Sequence, residues 1–138
     1  MIDRDILYLK KQNRSTEIYC KNGLQTIMNH TLERVLEMYC LRDLTTLEGR
    51  IKAIQKIYHI KKQIPIYLSE ELILIQTTNK KEIDNIYINS CNIIDMMKDK
   101  QNTKIIFCDD SVLVVHKPYH LIKKYIQKSF QIKKSNHK

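Results

Sequence analysis

The chain has 138 residues, a hydrophobic fraction of 43%, two glycines and two prolines, which fits one core and leaves no flexible linker to hold separate domains apart. Its formal charge is +9, and its four cysteines form no C-x-x-C pair and have no His at ligand spacing, which argues against zinc and fits a chain kept reduced. Met1 to Lys11 is charged throughout and no apolar run approaches the roughly 20 residues of a membrane span, so a cytoplasmic protein without leader or anchor is expected.

Ile6-Leu7-Tyr8-Leu9 is compatible with a first strand. Thr16 to Cys20 and Leu24 to Met28 flank Lys21-Asn22-Gly23, and Asn-Gly between two β-prone runs predicts a hairpin. From Thr31 the period changes: Leu32, Val35, Leu36, Tyr39 and Cys40 form one stripe of a helix of about ten residues. A second helix follows Arg42-Asp43-Leu44. Thr45 and Glu48 have capping-box spacing there, and Leu47, Ile51, Ile54 and Tyr58 make its inner stripe, leaving Arg50, Lys52 and Lys56 outside.

Pro65 closes that region, and short strands are expected at Ile66 to Leu68, Leu72 to Gln76 and Ile86 to Asn89, the last with Ile94 as its outer limit. Thr103 to Phe107 and Val112 to Val115 then read as a hairpin about Cys108-Asp109-Asp110-Ser111. Pro118 takes the first position of a last helix with inner stripe Leu121, Ile122, Tyr125 and Ile126 and with Lys123, Lys124 and Lys128 on its other face. The order predicts a single α+β domain over residues 1–130: N-terminal β-hairpin, two-helix segment, antiparallel strands, C-terminal basic helix. Residues 131–138 read as a basic tail without fixed structure.

Constellations for catalysis are poor. The adjacent acids Glu70-Glu71 and Asp109-Asp110 sit where strands begin or turn, and Asp in such places bonds its local backbone. Cys108, between β-prone residues, reads as a small buried hydrophobe. The five histidines show no H-E-x-x-H, and no G-x-S-x-G elbow or glycine-rich phosphate loop is present, so neither an enzyme nor a cofactor or metal site is expected.

Binding is the better supported class. Residues 42–62 hold six basic and two acidic side chains and residues 117–138 seven and none, so these two segments carry the whole positive excess. Clustered cations of this kind gain counterion-release free energy on a polyanion, although Lys-rich surface also serves solubility. The two helices allow a helix-turn-helix reading with Arg50, Lys52, Gln55 and Lys56 facing a groove. A plain helical hairpin satisfies the same pattern.

Read in order, several segments resemble the ComK family of competence transcription factors. Thr16-Glu17-Ile18 opens the match and Cys40 ends its first helix. Gly49-Arg50 and Pro65-Ile66 fall at family positions, and Leu74-Ile75-Gln76-Thr77 resembles Phe-Phe-Pro-Thr. Tyr87-Ile88-Asn89 resembles Trp-Ile-Asn, and Ile105-Ile106-Phe107-Cys108-Asp109-Asp110 resembles Ile-Ile-Phe-x-Asn-Gly. Departures are single positions: Gln63-Ile64 for Lys-Pro, Gln76 for proline, Tyr87 for tryptophan, Asp110 for glycine. The strands from Ile86 with their basic helix are also similar in pattern to LytTR-type DNA-binding domains.

The resemblance implies oligomers that bind AT-rich double-stranded DNA, largely through the minor groove, and activate DNA-uptake genes with RNA polymerase. It also implies degradation through an adaptor-guided protease, tied to an acidic, motif-bearing region after the core that this sequence does not match. The DNA contacts expected are Arg50, Lys52, Lys56, Lys61 and Lys62, with Lys80 and Lys81 as a second set; Arg50 ranks first because a planar guanidinium suits a narrow groove. Lys133, Lys134 and Lys138 are expected to add only non-specific attraction. A competing expectation is a truncated interaction module that pairs with a full-length regulator and modulates it. RNA binding is less favoured, because no aromatic pair stands ready to stack bases.

Overall fold

The computed structural model describes residues 2–77 and 85–136. In chain order the elements are β1 (Ile6–Gln12), β2 (Ser15–Cys20), β3 (Gln25–Met28), α1 (Leu32–Leu41), α2 (Leu47–Tyr58), β4 (Ile66–Ser69), β5 (Leu72–Gln76), β6 (Ile86–Asn89), β7 (Ile93–Asp99), β8 (Asn102–Phe107), β9 (Val112–Val115) and α3 (Tyr119–Asn136). This is an α+β domain. Six strands form one antiparallel sheet in the order β3-β2-β1-β6-β5-β4, and β7-β8-β9 form a second.

The larger sheet is buried on both faces. Successive strand residues point to opposite sides, so Leu72 and Leu74 of β5 and Tyr87 of β6 pack with Leu32, Val35, Leu36 and Cys40 of α1. Ile75, Ile86 and Ile88 face the other way, onto Ile105 and Phe107 of β8, Val115 of β9 and Ile122, Tyr125 and Ile126 of α3. Two partners for one sheet explain why Leu72-Ile73-Leu74-Ile75 is an unbroken apolar run instead of an alternating one.

The expected first hairpin forms, with Tyr19 opposite Gln25 and Thr16 opposite Met28. Asn22 (φ 63°) and Gly23 (φ 77°) take the left-handed backbone that the turn needs. The closing link of the sheet is non-local: β1 pairs with β6, Leu9 opposite Tyr87.

The chain leaves this sheet at a 3-10 turn, Ser90–Asn92, so the strand expected to run on toward Ile94 stops at Asn89 and a separate strand, β7, begins at Ile93. Asn89 enforces the break. Its buried Nδ2 donates to Ile6 O and Glu71 O, both at 2.9 Å, while Oδ1 accepts from Ile73 N at 3.1 Å and Cys91 N at 3.2 Å. Asn92 adds donations to Ile6 O (2.7 Å) and Arg4 O (2.9 Å). Side-chain amides thus satisfy backbone groups that sheet pairing leaves over where the chain changes layers.

Four further expectations need correction. Cys108 is exposed, because β8 ends at Phe107 and the thiol belongs to the turn beyond. The cap of α2 is Thr46, whose Oγ1 accepts from Gly49 N at 3.0 Å, and a Cβ on Gly49 would lie 2.9 Å from that oxygen. Thr45 instead donates to Cys40 O at 3.0 Å, closing the end of α1, and Glu48 pairs with Lys52 at 2.9 Å. Pro118 stands just before α3, its carbonyl accepting from Leu121 N and Ile122 N. The domain boundary expected at residue 130 falls inside α3, where Ile132 is fully buried against Ile54 and Ile60. As expected, Asp109-Asp110 is a turn: Asp109 Oδ1 accepts from Ser111 N and Oγ, and Asp110 is left-handed at φ 70°.

Candidate nucleic-acid interface

The two basic segments of the sequence meet in space. α2 ends at His59, whose left-handed backbone (φ 57°) turns the chain out of the helix, and Gln63 (φ 51°) turns it again. Between them Ile60 is buried and plugs the loop against Ile54 of α2 and Ile132 of α3, while Lys61 and Lys62 stand exposed. From α3 Lys128 Nζ donates to Lys62 O at 2.9 Å, which fixes the loop to the helix. Burial of the Lys128 ammonium, with Lys124 one turn away, holds its pKa below the ordinary lysine value.

Lys56 on α2, Lys61 and Lys62 on the loop and Lys123, Lys124 and Lys134 on α3 are all exposed. No ion pair among the described residues engages any of them. Ions held by neither partner nor burial are the ones a phosphate backbone can displace counterions from. Lys52 is exposed too, but Glu48 faces it at 2.9 Å. The pair raises the Lys52 pKa and lowers that of Glu48, so the charge of this lysine stands beside an opposite one. Lys80 and Lys81 lie outside the described residues.

Arg50, ranked first from the sequence, does not project outward. Its side chain is only 16% exposed. Nη1 donates to the carbonyl of Tyr67 on β4 at 2.6 Å, Nε and Nη2 to Thr45 Oγ1 at 3.2 Å, and Nη2 to Asp43 Oδ2 at 3.1 Å. The guanidinium ties the α1–α2 turn to an edge strand, so its donors are engaged within the molecule. What the sequence left in the background is α3: Lys124 and Lys128 join the loop lysines, and the signal was the absence of any acid after residue 116.

The sequence family described as ComK protein matches residues 6–138. The chain belongs to the ComK family. The match spans nearly the whole chain, including α3, and places it among competence-type transcription factors. No curated protein and no solved structure matches it. Within the ComK pattern, Asn89 of Tyr87-Ile88-Asn89 is the four-bonded junction side chain, and Asp109-Asp110 is the β8–β9 turn. Both motif positions therefore have structural work that their residue types explain. Among the described residues no helix is long and apolar enough to cross a membrane.

Proposed function

We propose that this ComK-family chain is a transcription activator of competence genes that acts by binding AT-rich double-stranded promoter DNA. It works without catalysis or cofactor, self-associates on its sites and engages RNA polymerase there. The observation that supports the reading most is the fusion of the two basic segments into one unpaired surface at the α2–β4 loop and α3. In the proposed interface Lys56, Lys61, Lys62 and Lys124 make the principal phosphate and groove-edge contacts, while Lys128 fixes the loop to α3. Lys52 contributes less because of Glu48, and Lys80 and Lys81 form a second set. Arg50 acts behind the surface by holding α2 in place. A narrow A-tract groove concentrates negative potential, so exposed cations at fixed spacing suit it without a dedicated recognition helix.

Fluorescence anisotropy on AT-rich and GC-rich duplexes over a range of salt tests this. The AT-rich duplex is expected to bind tighter, with log K falling linearly in log salt by about 0.9 per phosphate neutralised. Equal affinities at physiological salt remove the AT-rich claim. A flat salt plot removes DNA binding and leaves the interaction-module reading.

A further inference from the structure

Sheet edges are the places where a β-rich chain is open to another chain, and most are blunted by cover or charge. In this molecule β4 is covered: Arg50 of α2 occupies the Tyr67 carbonyl at 2.6 Å. β7 carries Asp95, Lys98 and Asp99. β3, at the far end of the six-stranded sheet, has neither protection. Its residues Gln25-Thr26-Ile27-Met28 include no charge, no proline and no bulge, and three of the four are exposed. Ile27 is 62% exposed and the preceding Leu24 68%. Beside this edge runs a largely apolar groove of about 450 Å³ between β3 and α1, walled by Thr26, Met28, Val35, Met38, Tyr39 and the cation Arg42.

We propose that β3 is a self-association edge, at which two copies of this chain pair their β3 strands antiparallel about Thr26. The register follows from the pairing on the inner side. Cys20 N donates to Leu24 O at 2.7 Å, so along the strand residues 24, 26 and 28 turn their backbone groups to β2, and Gln25 and Ile27 turn theirs outward. A two-fold axis at Thr26 then sets Gln25 of one copy against Ile27 of the other. All four outward N–H and C=O groups of each strand find partners. Thr26 meets Thr26 as a non-hydrogen-bonded pair, a favourable cross-strand combination. Met28 stands opposite Leu24 of the second copy, next to the groove. The occupant is a second copy because the edge is self-complementary and the strand itself carries no charge, so two chains of +9 pair β3 to β3 with no cation in either strand. The carboxylate of Glu17, opposite Ile27 on β2, is already held by Tyr19 Oη and by Gln25 Nε2.

This supplies the surface for the self-association in the functional reading, yet it is tested without DNA. Sedimentation velocity of the full chain in DNA-free buffer is expected to show dimer, with Ile27→Lys weakening association at least tenfold and circular dichroism unchanged. Register is tested separately by oxidising Thr26→Cys in a background lacking the two unburied thiols (Cys91→Ser, Cys108→Ser). Facing residues of a non-hydrogen-bonded pair lie about 4.5 Å apart at Cα, within disulfide reach. Thr26→Cys is expected to give a species of twice 16.5 kDa on non-reducing gels, while Val114→Cys on β9, the other uncharged edge, does not. A monomeric wild type overturns the proposal, as does a fully associated, folded Ile27→Lys. Cross-linking at Val114 in place of Thr26 overturns it as well. Should Ile27→Lys fail to fold, the Thr26→Cys result decides.

Discussion

Arg50 shows how far residue-level reading of α2 extends. Helical period places it off the Leu47, Ile51, Ile54 and Tyr58 stripe, and that placement holds. Period knows only the helix's own axis, however, and Arg50 meets partners that arrive from elsewhere: the Tyr67 carbonyl on β4 and the Asp43 and Thr45 side chains of the preceding turn. Arg50→Ala is therefore expected to lower stability by about 1–3 kcal/mol in urea titrations, the cost of leaving charged-group hydrogen bonds unmade. Arg50→Lys should restore little, since an ammonium cannot span the three acceptors of a planar fork. DNA affinity of the folded Arg50→Ala protein should fall less than that of Lys61→Ala. Leu44, in the turn between α1 and α2, is a second residue whose setting comes from the fold. It is 94% exposed with φ 61°, a conformation that costs a Cβ-bearing residue about 1–2 kcal/mol. Leu44→Gly should raise the melting midpoint, a gain of about 0.5–1 kcal/mol after the extra freedom of glycine in the unfolded chain is subtracted.

Among the elements, those with one strong signal were legible: α1 from its stripe and the β2–β3 hairpin from Asn22-Gly23. β7 was not, because Ile93-Ile94-Asp95-Met96-Met97 neither alternates nor repeats at helical spacing, and a register shift at Ile94 accounts for the irregularity. Nor was the latch that joins the first turn to the end of α1 and to β4. Arg42 Nη1 and Nη2 donate to the two carboxylate oxygens of Asp3 at 3.0 and 2.9 Å, and Ser69 Oγ donates to Asp3 Oδ2 at 2.8 Å. Arg42 also lies over the Tyr39 ring, 4.7 Å from its centroid. Burial of Asp3 raises its pKa, but the Arg42 and Ser69 contacts together outweigh it and hold the carboxyl below its ordinary value. A carboxylate whose folded pKa is depressed contributes stability that is fully present above about pH 4 and is lost as the pH falls through the folded value. Asp3→Asn should thus cost about 1 kcal/mol at neutral pH, modest because Arg42 is partly exposed. Thermal melts of wild type and variant should converge in acid, below about pH 4.

For the whole molecule, charge was legible as two sequence clusters, but their union was not, because it depends on Ile60 and Ile132 finding each other across about 70 residues. Lys61→Ala and Lys124→Ala, one from each cluster, should each make the salt dependence of DNA binding shallower by about 0.9 in log–log slope. The double variant should lose both increments if the clusters act as one surface. The same long-range design shapes how the chain comes into being. β1 is synthesised first with its partner β2 directly after it, yet its other edge waits for β6, about 80 residues later. At ribosomal rates of roughly 5–20 residues per second that wait lasts about 4–16 s. Until then the middle of the future sheet is an open margin flanked by Leu7 and Leu9. The nascent chain is therefore most exposed to misassociation before Tyr87 emerges, and its yield in the cell should depend on what shelters that margin in the meantime.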